Sequence, residues 1–333
     1  MIELTTPRGL PVSVPEALDE DPSPHFKISE AEKLTAYYRE HGYVVVKSVI
    51  APEICDAQRG LWDAEIKPFR GYIYRQATAK AEKHVFNDQG WVMNPILNLQ
   101  SLDPRRFGRF RTHATESVLT AAALRQIFTS LLREPPKIVQ SMYFEGNSAT
   151  WEHQDSYYLD SAVRGQMAAA WIAMETIAAR AGRFFVCPKS HLIRLDEHGL
   201  HNNVAEHHDV YINSVVEKIK NLRLQIRAPV LEQGDVLFWN ALTIHGSLDS
   251  QDPRCSRSSI TCHAIPESHL FLSLQTRLLD VGTDSVNGAR VYRPKDLAAL
   301  KNRLIFQAET RFPSAFHWVK RAALKRLFRQ KAS

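Results

Sequence analysis

Residues 234–247 read GDVLFWNALTIHGS. A Gly-Asp turn opens the stretch, an apolar run of strand length follows, and a histidine closes it. That order places an imidazole at the rim of a sheet. The surrounding chain repeats the pattern. Short apolar runs over 138–144, 167–174, 184–187, 226–231, 236–239 and 259–264 are punctuated by Gly182, Gly234-Asp235 and Asp252-Pro253. Many short strands in one block predict a sandwich or jelly roll. The first half reads differently. Five prolines within residues 1–25 exclude a long helix and predict an irregular extension. Ser29 with Glu32 then reads as a capping box for a helix ending at His41-Gly42, followed by a buried strand over 43–46. Pro52 suits the first turn of a second helix, and a third is predicted over 116–132, before Pro135-Pro136. The polar, His-rich stretch 195–221 reads as an insertion with a short helix. The fold class is therefore mainly β with flanking helices: one domain over 26–312, the extension before it and a tail over 313–333.

Composition narrows the function classes. Hydrophobic residues make up 44% and charged residues 23% of 333, which excludes general disorder. No run is long and apolar enough for a spanning helix, and the acidic, proline-rich start is not a signal peptide, so a cytoplasmic location is expected. Cys55, Cys187, Cys255 and Cys262 form no CxxC pair and no zinc-ribbon spacing. The net charge of +6 is accounted for by Lys320, Arg321, Lys325, Arg326, Arg329 and Lys331, so the body is no nucleic-acid surface by charge. A helix over the tail would place Phe316, Val319, Ala323, Leu324 and Leu327 on one side. Such a basic amphipathic segment either packs on the body or touches an anionic membrane, and packing is the favoured reading.

His153-Gln154-Asp155 is an H-x-D pair. On a strand, positions i and i+2 face the same way, so an imidazole and a carboxylate would enter one cavity. His207-His208-Asp209 is a second copy, but it lies in the polar insertion, where solvated side chains are the default. His153 instead follows a predicted strand. A third ligand from a later strand would complete two histidines and one carboxylate, leaving three positions open, as Fe(II) oxygenases need. His245 is the best candidate. Downstream, Arg257 opens a half-buried strand and suits a carboxylate through a two-pronged ion pair.

These residues, taken in order, resemble the phytanoyl-CoA dioxygenase-like family of Fe(II)- and 2-oxoglutarate-dependent oxygenases. The likeness runs from about residue 28 to 264. It includes the His41–Val46 opening, the Trp151-Glu152-His153-Gln154-Asp155 block, the 170–175 run, Gly182 through His191, the Gly234-Asp235 turn and His245-Gly246-Ser247. The resemblance implies a double-stranded β-helix of the cupin-like jelly-roll type. It implies iron held by His153, Asp155 and His245, and the distal carboxylate of 2-oxoglutarate on Arg257, with Trp171, Ser247 and Met142 lining the co-substrate. The arginine lies one residue further from His245 than the family pattern leads one to expect, which makes Arg254 the fallback. With Fe(II), 2-oxoglutarate and O2, the expected reaction is hydroxylation, desaturation or cyclisation at a C–H bond of a small organic or lipid-like intermediate. In related halogenases the carboxylate position is Gly or Ala, so Asp155 argues against halogenation. Two other readings stay open. One is a jelly-roll metalloenzyme of another class, a cupin-type isomerase or a hydrolase, which would need no such arginine. The other is a non-catalytic binding member.

Overall fold

The computed structural model describes residues 1–146, 149–193, 195, 207–274, 277–316 and 318–319. The first element is a hairpin of β1 (Ile2–Thr5) and β2 (Pro11–Val14). The stretch 1–25, expected to be irregular, is thus ordered: its prolines exclude helix but not paired strands, and Val12 and Val14 pack on Phe185 and Leu248 of the body. Helix α1 (Ala31–His41) ends on Gly42 in the left-handed conformation. The expected Ser29–Glu32 box is not formed. Glu30 instead accepts from the Lys27 N–H, so the capping contact closes two residues earlier. Strand β3 (Tyr43–Val46) and helix α2 (Pro52–Leu61) follow as read. Further on lies α3 (Pro104–His113). The expected helix over 116–132 is broken: a wider turn over Ala114–Leu119 gives way at Thr120-Ala121 to α4 (Ala122–Leu132).

The strand block forms two facing sheets. The larger contains β4 (Pro136–Phe144), β6 (Ala168–Ala173), β8 (Val236–Asn240) and β10 (Ser259–Pro266). Its antiparallel order is β4-β10-β6-β8-β3, and His25–Phe26 and Ala289–Tyr292 extend the edges. The smaller contains β5 (Thr150–His153), β7 (Phe184–Val186) and β9 (His245–Ser247), in the order β7-β9-β5. Residues 226–231, expected as a strand, make only a single bridge, from Arg227 to Val186.

Strand alternation sorts the side chains. Ala168, Ala170, Ile172, Val236, Phe238, Ile260 and Cys262 face outward, where Leu124, Ile127 and Phe128 of α4 cover them. Ala169, Trp171, Leu237 and Trp239 face inward with Phe184 and Val186 of the smaller sheet. Burial on both faces explains why these strands read as continuous apolar runs. Gly234 makes the turn into β8 at φ +85°, and a Cβ there would lie 2.1 Å from the Ile50 carbonyl oxygen, so only glycine fits. Among the described residues no helix is long and apolar enough to cross a membrane. The expected helix of the tail falls largely on residue 317 and residues 320–333, outside the described residues.

One packing feature carries a pH dependence. His84 Nε2 donates to the Ile66 carbonyl at 2.9 Å, and Nδ1 accepts from Arg75 at 3.1 Å. Burial, then the charge of Arg75, pushes the His84 pKa down to about 4. Folding therefore favours the neutral ring. Its contribution is complete above the unfolded value of about 6.5 and is lost as pH falls through 6.5 toward 4. After discounting for partial exposure it is worth about 2 kcal/mol. Melting temperatures measured from pH 7 to 4.5 should fall less steeply for His84→Gln than for the parent protein. Equal slopes would remove His84 from the acid response.

Candidate metal centre

His153 is the last residue of β5, and Asp155 begins a single tight turn beyond it, Asp155–Tyr157. The expectation that both sit on the strand is corrected for Asp155. Gln154 keeps extended backbone (φ −108°, ψ 135°), so the two side chains still point the same way. Antiparallel pairing sets His245 directly opposite His153. One ligand atom from each of His153, Asp155 and His245 lies within 4.8 Å of the others.

The chemistry of these donors fits a divalent metal. His153 Nδ1 is 2.8 Å from the Trp151 carbonyl oxygen, and His245 Nδ1 is 2.8 Å from that of Thr243. A carbonyl only accepts, so each Nδ1 carries the ring proton and each Nε2 turns a lone pair inward. Burial, and then the neighbouring His245, lower the His153 pKa, which keeps the ring neutral. Burial pushes the Asp155 carboxyl up, but the imidazoles of His245, His263 and His153 outweigh it and hold the carboxyl well below its ordinary value. Two imidazoles with their Nε2 atoms turned inward and one carboxylate, all buried, suit Fe(II) with open positions.

Arg257 is 1% exposed and lies against Trp171, in the cluster whose Phe184 ring packs on His245. Its Nη1 donates to the Gly182 carbonyl at 2.9 Å, while Nε has no partner. Among the described residues no carboxylate pairs with it, and burial pushes its pKa down to about 9. A cation in such a place calls for an anionic ligand. Trp171 and Phe144 flank it, with ring centroids 6.0 and 5.4 Å from the guanidinium carbon. Met142 and Trp171 both stand beside Thr261 in the sheet register. Ser247 is buried on β9, where its hydroxyl accepts from the Thr150 N–H at 3.0 Å. Arg254 is spent at the surface in a two-bonded pair with Asp252.

The second H-x-D copy stays apart. Asp209 is 90% exposed and pairs loosely with Arg8 at 4.0 Å. The helix it belongs to, α5 (His208–Asn221), nevertheless reaches the site. Tyr211 stacks on Tyr157 at 3.7 Å, and its hydroxyl accepts from the Gln154 N–H at 2.8 Å. His208 Nε2 and the Tyr158 hydroxyl are hydrogen-bonded at 2.8 Å, and the His208 ring packs edge-on to Trp151 at 5.2 Å. Sequence reading missed His208 and Tyr211. It also missed Trp239 and His263, both of which face Asp155. The even spacing from Arg257, two residues before the strand Ser259–Pro266, to His263 within it was the available signal.

Solved structures of similar fold include SnoK, a non-heme alpha ketoglutarate dependent carbocyclase from nogalamycin biosynthesis (TM-score 0.53, 18% identity, covering 72% of this chain and 88% of that one). They also include the epimerase SnoN in complex with Fe3+, alpha ketoglutarate and nogalamycin RO (0.55, 17%, covering 79% and 95%), and EctD from S. alaskensis with 2-oxoglutarate and 5-hydroxyectoine (0.52, 16%, covering 84% and 94%). Among curated proteins, the peroxisomal phytanoyl-CoA dioxygenase of Bos taurus is 24% identical over 238 residues, which span 68% of this chain and 66% of the bovine enzyme. That of Mus musculus is 24% identical over 265 residues, 76% and 72%. The class is that of the non-haem, Fe(II)- and 2-oxoglutarate-dependent dioxygenases on a jelly roll. The phytanoyl-CoA dioxygenase (PhyH) family model matches residues 38–256, and the chain belongs to that family.

Proposed function

We propose that this protein hydroxylates a C–H bond of a small organic molecule, with Fe(II) on His153, Asp155 and His245 and the distal carboxylate of 2-oxoglutarate on Arg257. The observation that carries the reading is Arg257, a fully buried cation with no carboxylate partner among the described residues, set beside Trp171 in the cluster whose Phe184 ring packs on His245. A metalloenzyme on this fold that uses no 2-oxoglutarate has no use for it. When bound, the iron supplies the oxidising chemistry: 2-oxoglutarate and O2 are converted to succinate and CO2, and one oxygen atom goes to the substrate. The chain's part is to orient and to exclude water. His153 and His245 hold their lone pairs inward through their backbone bonds. Trp171, Leu237 and Phe184 keep the inner wall dry. Trp151, Tyr158 and His208 form the wall over His153, where Tyr158 packs edge-on at 5.6 Å. Trp151, 39% exposed, offers a flat apolar surface, and the Tyr158–His208 pair offers hydrogen bonding. Together they suit a substrate with a planar or apolar face and a polar group beside the reacting carbon. A lipid-like intermediate with a polar head meets the same description.

The test is succinate release from 2-oxoglutarate by Fe(II)-loaded protein across a panel of such molecules. Stimulation lost with Arg257→Ala supports the reading; turnover without 2-oxoglutarate sinks it. Tyr158→Phe and His208→Ala should leave Fe(II) and 2-oxoglutarate binding unchanged. Each loses one buried hydrogen bond to substrate, so the substrate KM should rise roughly tenfold. An unchanged KM in both would move the substrate elsewhere.

A further inference from the structure

The two oxygens of Asp155 have different surroundings. Oδ1 faces the centre, 3.7 Å from His153 Nε2 and 3.5 Å from His245 Nε2. Oδ2 faces away: the Trp239 indole N–H donates to it at 2.8 Å, and His263 Nε2 lies 3.3 Å from it. Trp239 and His263 come from the strands on either side of β6, and both stand opposite Ala169 in the register. The small alanine lets two large side chains lean over it. They are 1% and 2% exposed, with ring centroids 5.9 Å apart and nearly perpendicular.

A core role does not account for His263. Its Nδ1 is buried without a hydrogen bond, and its Nε2 lies 3.3 Å from Asp155 Oδ2. An imidazole that leaves one nitrogen unsatisfied is a poorer filler than leucine or phenylalanine. What it adds is a polar ring nitrogen 3.3 Å from Asp155 Oδ2.

We infer that Trp239 and His263 are positioning residues that keep Asp155 a ligand through one oxygen. The indole N–H donates to Oδ2 and the His263 ring lies against it, so turning the carboxylate to present both oxygens to a metal would break both contacts. A carboxylate bound through both oxygens would occupy a position that 2-oxoglutarate or dioxygen needs. The inference rests on the assignment of Fe(II) to this centre and adds how the protein preserves its open positions. The residues act through Asp155 and do not touch the metal.

The experiment is anaerobic titration of the full-length protein, first with Fe(II) against a competing chelator, then with 2-oxoglutarate. The second step follows the visible absorption band of the iron–2-oxoglutarate chelate. His263→Leu and Trp239→Phe should each weaken Fe(II) binding about tenfold or more and shift or diminish the band. His263→Gln, whose amide N–H can reach the same oxygen, should recover most of both. Melting of the metal-free variants confirms that they are folded. If His263→Leu and Trp239→Phe, both folded, match the parent in Fe(II) affinity and band, the positioning role is wrong. It is equally wrong if His263→Gln is as impaired as His263→Leu. A parent protein that binds no Fe(II) would instead overturn the metal centre, and this inference with it.

Discussion

Asp155→Ala is expected to remove stoichiometric Fe(II) binding and, with it, all 2-oxoglutarate turnover. Its carboxylate is the single anion of the centre, and losing a buried charge contact costs roughly 3–5 kcal/mol, on the order of a thousandfold in affinity. Alanine also strands the Trp239 N–H and the His263 ring, which both rely on Oδ2. Asp155→Asn keeps an acceptor for them and isolates the loss of charge. His153→Ala and His245→Ala should be equally inactive, since each removes one inward lone pair. His207→Ala and Asp209→Ala should bind iron and turn over normally, because Asp209 lies in solvent. Metal analysis of purified, iron-reconstituted variants with a succinate assay checks all six. Iron retained by Asp155→Ala, or lost in Asp209→Ala, would reassign the centre.

Arg257→Ala should raise the half-saturating concentration of 2-oxoglutarate by a factor of roughly a hundred to a thousand, because it leaves a carboxylate unpaired in an apolar cavity. Fe(II) binding should persist. The same site makes a second, opposite forecast. Without co-substrate, Arg257 is a buried cation with no acid beside it, and burial alone pushes its pKa down to about 9. Arg257→Met, of similar length and uncharged, should therefore melt no lower than the parent in the absence of ligand. Added 2-oxoglutarate should raise the melting temperature of the parent and leave that of Arg257→Met unmoved. Arg254→Ala should behave as the parent in both assays. A large fall in melting temperature for Arg257→Met would mean that the arginine is structural.

The jelly roll was legible because its strands are buried on both faces, so 168–173 and 236–240 stand out as uninterrupted apolar runs. The candidate ligands were legible because a strand's period of two brings His153 and Asp155 together even though Asp155 lies just past the strand. The rest depended on contacts between distant segments. Trp239 and His263 sit in apolar strands and look like core until the register sets both opposite Ala169. The hairpin of residues 2–14 was hidden by its prolines, which mark where helix is impossible and say nothing about edge strands. His208 looked like part of a solvated cluster; only the packing of α5, through Tyr211 on Tyr157, shows that it reaches Tyr158.

That hairpin also bears on how the protein assembles. Thr6 hydrogen-bonds to the buried carboxylate of Glu152, the residue before His153 and 146 positions along the chain. Leu10 joins Tyr211 and Ile212 in the cluster under α5. During synthesis the first residues leave the ribosome long before these partners exist. They close over the smaller sheet only once both β5 and α5 are in place. Contacts of such long sequence separation form slowly, because the loop entropy is lost before any contact repays it. The strand bearing His153 is thus sealed by a segment made well before it, across a separation of 146 positions.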